Sequence, residues 1–286
     1  MSDQSILSKY TRQPKIYIGL PSKGKFYKNN PFEKTSTGEL PVFSMTAKDE
    51  MILKTPDALM NGESVAMVIK SCVPLIVDVS EIPVIDLDYI LVATRIATYG
   101  EKMKISVPVE GKGLEEPEDL EVEIDLRTVL DELNGHEWEN EFVYGDLKFQ
   151  SKPLTLHDQN IQEINQFETS RLINAVRNTE LPEEERNKIV KESFYRITDS
   201  NLNLVHKQIV AIETPEGVES NPTAIKAFFD NADKKMFSAV FDYLTEQRDK
   251  FAVKPRKISV PQQLVEQGAP EEISTPLIFN QSNFFE

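Results

Sequence analysis

The chain holds a single cysteine, Cys72, among 286 residues. That excludes an internal disulfide and a cysteine-based zinc cluster. No stretch reaches the roughly 18 uninterrupted apolar residues of a membrane-crossing helix, and the first ten residues lack the basic-then-apolar build of a signal peptide. Synthesis in a cytosol is expected, with no membrane partner. Histidines are few and scattered: His136, His157 and His206 fall in no zinc or nucleophile motif such as H-E-x-x-H or G-x-S-x-G. Positive charge is also short. With 32 Lys and Arg against 47 Asp and Glu, the formal net charge is −15, which repels polyanions and argues against a nucleic-acid partner. What is present is ordinary for a folded protein: 40% apolar and 28% charged residues, enough for one large or two ordinary domains.

Chemical motifs fail on inspection. Gly19-Leu-Pro-Ser-Lys-Gly24-Lys25 matches the first seven positions of a phosphate-binding loop. However, Phe26 replaces the hydroxyl that must reach magnesium, and Tyr27-Lys-Asn-Asn-Pro31 cannot open a helix. A glycine-rich basic turn is left. Asp86 and Asp88 have a spacing that could share a metal, but no histidine stands near and Asp86 is expected to cap a helix. The run Glu115–Asp119 lacks the ligand spacing of a calcium loop. The sequence therefore assigns no catalytic, cofactor-binding or metal-binding residue. An enzyme site assembled from close carboxylates in the acidic sheet region is the remote alternative.

Charge is unevenly placed. Residues 1–34 carry seven basic side chains against two acidic, a net of +5, while residues 110–146 carry fourteen acidic against two basic, a net of −12. Opposite poles suit head-to-tail packing between copies, with solvated surface as the competing reading. Lys23 and Lys25 are the candidate contacts to an acidic partner surface, such as residues 110–146 of another copy.

Local signals give an α+β fold. Thr46-Ala-Lys-Asp49 has the form of a capping box, Thr55-Pro56-Asp57 opens an apolar helix running to Ile69, and Asp86 starts a third helix that Gly100 ends. From Lys104 to Thr155 apolar residues alternate, as in a small antiparallel sheet, with a short helix at Arg127–Leu133. After Pro153 the helical period returns. Ile161, Ile164, Phe167, Leu172, Ala175 and Val176 mark one helix. Glu183–Glu185 lead another that carries Ile189, Val190, Phe194 and Ile197. A third spans about Leu202–Ile212, and the longest carries Ile225 through Leu244. Phe237 and Phe241 widen its apolar stripe beyond one buried face, which makes them candidate partner contacts, with core packing as the alternative. Pro255, Pro261, Pro270 and Pro276 make the end of the chain an extended tail. Its Leu277, Ile278, Phe279, Phe284 and Phe285 are candidate anchors on a partner, the alternative being a frayed terminus. The expected divisions are an N-terminal arm at 1–35, an α+β domain at 36–155, a helical domain at 156–252 and the tail at 253–286.

The order of the N-terminal blocks carries a resemblance. These are Gly19-Leu-Pro-Ser-Lys-Gly-Lys-Phe-Tyr27, Met45-Thr-Ala-Lys-Asp-Glu50, Thr55-Pro-Asp-Ala-Leu-Met-Asn-Gly62 with Val68-Ile-Lys-Ser-Cys-Val73, Asp86-Leu-Asp88 and Arg95-Ile-Ala-Thr-Tyr-Gly100. Together they resemble the baseplate hub family of T4-type contractile-tailed bacteriophages over residues 19–100. The resemblance implies a non-enzymatic structural subunit of the virion's tail baseplate, assembled in the host cytoplasm. It would act through protein contacts with other baseplate or hub proteins, the tape-measure protein and further copies of itself. The alternative it leaves open is an assembly factor for the hub and tape-measure protein that is absent from the virion. It transfers no catalytic residue and no cofactor.

Overall fold

The computed structural model describes residues 11–53, 62–113, 116–177 and 182–277. Alternating residues at Pro14–Ile18 (β1) and Leu40–Phe43 (β2) form an antiparallel ribbon in which Ile16 pairs with Val42 and Ile18 with Leu40. Helix α1 (Ala47–Leu53) begins at a reciprocal cap. Asp49 Oδ2 accepts from the Thr46 N–H at 2.8 Å, and Thr46 Oγ1 accepts from the Asp49 N–H at 3.2 Å. The Thr55–Asp57 cap lies outside the described residues. Helices α2 (Glu63–Cys72) and α3 (Val84–Tyr99) follow. Apolar residues surround α3 on every side, and the helix is buried accordingly, from Ile85 through Ala97 with few gaps. It is the axis of a first core that also holds Ile18, Leu40, Val42, Ile69 and Val73. The strands β3 (Lys102–Val109) and β4 (Glu118–Asp125) pair over eight positions. Asp125 then caps α4 (Leu126–Asn134), whose Leu126, Val129, Leu130 and Leu133 return to the same core.

A second core forms under a four-stranded antiparallel sheet. Its order is β5 (Glu141–Tyr144), β6 (Leu147–Ser151), β7 (Ile209–Thr214) and β8 (Gly217–Glu219). Helices α7 (Pro222–Asp230) and α8 (Lys234–Asp249) cover one face. Fully buried Phe149 lies at its centre, with the rings of Phe142, Phe228 and Phe229 at 6.0–6.3 Å. Between the adjacent strands β6 and β7 the chain inserts two long helices, α5 (Leu156–Arg177) and α6 (Glu183–Gln208).

The α+β expectation holds, and several elements differ from the sequence reading. One helix, α6, replaces the two expected between Glu183 and Ile212. The polar run Thr198–Asn203 contains neither Gly nor Pro, and Thr198 Oγ1 bonds back to the Phe194 carbonyl, so nothing stops the helix there. The β-branched residues that follow leave it as strand β7. The long helix after Pro222 is in fact α7 and α8, because Asp233 accepts from the N–H groups of Lys235 and Met236 and starts a new helix. Pairing of β6 with β7 also runs across the expected boundary at residue 155.

The end of the chain is not extended up to Leu277. Strands β9 (Arg256–Ser259) and β10 (Glu272–Thr275) form a hairpin around the short helix α9 (Gln262–Glu266). Val260, Leu264 and Ala269 pack on Val109 in a third, small cluster. Gly113 donates its N–H to the Gln267 carbonyl at 2.8 Å, and a Cβ at Gly113 would lie 2.8 Å from that oxygen. The prolines fall at bends between these elements rather than within an extended arm.

Candidate functional site

The basic turn at residues 19–28 is held from below. Asp86, fully buried in the first turn of α3, accepts from the Ser22 N–H at 2.8 Å, the Ser22 hydroxyl at 2.5 Å and the Tyr27 hydroxyl at 2.9 Å. Pro83, not Asp86, occupies the cap position, so the expected cap is instead an anchor for the turn. Burial pushes the Asp86 carboxyl up to about 6, against the lowering effect of the Ser22 and Tyr27 hydrogen bonds. The turn backbone is left-handed at Lys23, Gly24 and Phe26. No helix opens after it, which agrees with the failed phosphate-loop match.

Lys23 and Lys25 find their acidic partner within the same chain. Glu137 lies 3.7 Å and 3.0 Å from their ammonium groups, so the contact assigned above to another copy is intramolecular. Glu137 falls in the acidic stretch as expected. The topology, which sequence does not display, brings that stretch beside the turn. Arg12 pairs with Asp49 and Lys28 with Glu81, so the N-terminal basic pole is largely neutralised internally. Beside the turn, Lys25, His136, Trp138, Glu139 and Lys250 line an open groove of about 800 Å³. Lys250 pairs with Glu139 at 2.9 Å.

His136 stacks edge-on against Phe251, His157 is exposed at the start of α5, and His206 bonds the Leu202 carbonyl within α6. Among the described residues no three His, Cys, Asp or Glu side chains gather closely enough to hold a metal ion. Cys72 is buried, and desolvation pushes its thiol up to about 11. No helix among the described residues is long and apolar enough to cross a membrane.

The expected partner contacts divide. Phe237 and Phe241 are half-buried and pack on the second core, with Phe237 edge-on to Phe229 and stacked with Phe241 at 6.2 Å. Leu277 is buried in the first core, so it is an internal residue of this chain. Ile278, Phe279, Phe284 and Phe285 lie outside the described residues.

The sequence named the apolar residues of α5 and α6 without marking them as surface. Thr155 and Asp158 form a second reciprocal cap, and Lys207 pairs with Asp158 at 2.6 Å, tying the base of α6 to the base of α5. Further out, the seam between the helices is polar. Thr169 and Ser193 are buried, and Asn165, Thr169, Arg196 and Ser200 line a groove between the helices. The large apolar side chains are left in solvent: Phe167 is 50% exposed, Phe194 62% and Tyr195 61%, with Ile161, Leu172 and Ile197 each above a third. Val190, Phe194 and Ile197 form one stripe at helical spacing, and two turns further along Val205 is fully buried in the second core. The face that is core at the base of α6 is thus uncovered towards its N-terminal end.

Over residues 13–257 the chain matches the family model described as T4 bacteriophage base plate protein, and it belongs to that family. No curated protein and no solved structure gives a significant match.

Proposed function

We propose that this base plate protein is a permanent structural subunit of the phage tail, seated in the hub region of the baseplate and holding its neighbours through the α5–α6 hairpin. Family membership supports a baseplate component. The observation that carries the finer reading is the uncovered apolar face of the hairpin. Six large apolar side chains are each more than a third exposed on two helices whose mutual seam is built from Thr169, Ser193 and other polar residues. A contiguous apolar patch on a monomer marks a contact surface, and a lasting contact is more apolar than one that must release. An assembly factor would need the smaller, more polar kind.

Mass spectrometry of gradient-purified virions tests this. Peptides of the chain should be present at a stoichiometry fixed relative to other baseplate proteins. Absence from virions, with abundance in infected-cell lysate, would leave the assembly-factor reading.

A further inference from the structure

We infer that the outward face of α6 binds a second copy of this chain through that copy's β3–β4 ribbon, so that copies join head to tail. This goes beyond the baseplate assignment and does not depend on where in the virion the protein sits.

The helix side of the contact is the segment Arg186–Arg196. It carries Arg186, Lys188, Lys191 and Arg196 against Glu192, a net of +3 in a chain of −15. None of the four cations forms an ion pair among the described residues; Lys191 instead lies 5.9 Å above the Tyr195 ring. Phe194 and Tyr195 are exposed beside them. With the N-terminal cations already paired internally, this is the basic surface left for an acidic partner.

The ribbon supplies the complement. On its outward face Ser106 sits opposite Glu121 and Pro108 opposite Asp119, all four exposed. Nearer the body the same face is neutralised by the 2.6 Å pair Lys102–Glu123, but Asp119 and Glu121 have no ion-pair partner among the described residues. The spacings agree. Lys188 and Lys191 stand three apart on a helix, about 5–6 Å between Cβ atoms, and two carboxylates two apart on a strand stand about 7 Å apart. Pro108 between the carboxylates gives the exposed rings an apolar surface to rest on.

Because the two faces are unlike, the contact is heterologous. Each copy offers both faces, and assembly continues past the dimer until a ring closes.

Sedimentation velocity of the full-length chain tests the proposal. The unmodified protein should form species larger than a dimer at concentrations on the order of 100 µM. The pairs Lys188→Glu/Lys191→Glu and Asp119→Lys/Glu121→Lys replace exposed side chains and should leave the circular dichroism spectrum unchanged. Each variant alone faces like charge with like and should lose roughly tenfold or more in association. An equal mixture of the two variants restores opposite charges and should regain it. A monomer throughout for the unmodified chain, full association of either variant alone, or no rescue on mixing would each overturn the contact. Mass spectrometry of virions reads the baseplate assignment separately.

Discussion

Asp86 has no accessible surface, yet three donors from the Gly19–Tyr27 turn converge on its carboxylate. Its folded pKa of about 6 lies above that of an exposed carboxylate, so between pH 4 and 6 the folded chain binds more protons than the unfolded one. Stability contributed through this group therefore rises on acidification from pH 7 and is lost as pH climbs through 6, by on the order of 2–3 kcal/mol. Urea unfolding at pH 5 and pH 7 should show this slope in the unmodified protein and a flatter one in Asp86→Asn, whose amide still accepts from the Ser22 N–H. Asp86→Ala leaves the Ser22 and Tyr27 donors unmatched and should lose roughly 3 kcal/mol at pH 7. Equal pH slopes for the unmodified protein and Asp86→Asn would remove the carboxylate from this role. The sequence offered Asp86 as a cap because its position near a helix start was visible; Ser22 and Tyr27, some sixty residues away, were not.

At the scale of elements, the strand-helix-strand unit at the end of the chain carries a clear consequence. Ile258, Val260, Leu264, Ala269 and Leu277 are all buried, and the Val253 N–H is donated to Asp88 as the chain leaves α8. Each large apolar side chain that leaves the core forfeits roughly 1.5–3 kcal/mol. Truncation after Phe251 should therefore lower the melting temperature by several degrees in calorimetry. An unchanged melting temperature would return this segment to the role of a loose arm. Sequence signals located elements well where a local rule suffices, as at the Thr46–Asp49 cap, the alternation of β3 and β4, and the acidic first turn of α6. They failed where the outcome depends on distant pairing. Ile209–Thr214 becomes a strand because β6 waits 58 residues earlier in the chain. Val260 and Leu264, set among prolines, look like loop until Val109 is placed against them.

On the whole molecule, two packed bodies share α3 and the crossing at Thr155, and a helical hairpin leaves them between two neighbouring strands of one sheet. The period of α5 and α6 was legible, but periodicity shows only that a helix has an apolar face. It cannot show whether this chain covers that face, and here the cover ends near Val205. The candidate contacts at Phe237 and Phe241 illustrate the converse, since their wide stripe is mostly spent on Phe229 and the sheet. A hairpin that exists for assembly should tolerate loss of its aromatic groups. Phe167→Ser, Phe194→Ser and Tyr195→Ser replace rings at least half exposed, so each should change stability by no more than about 0.5 kcal/mol in urea unfolding. Combined, they should sharply reduce the amount of the protein found in purified virions when the variant is supplied during infection. A core role would give the opposite pattern, with a loss of several kcal/mol for the isolated chain. Normal stability together with normal incorporation would assign the hairpin no part in holding the particle together.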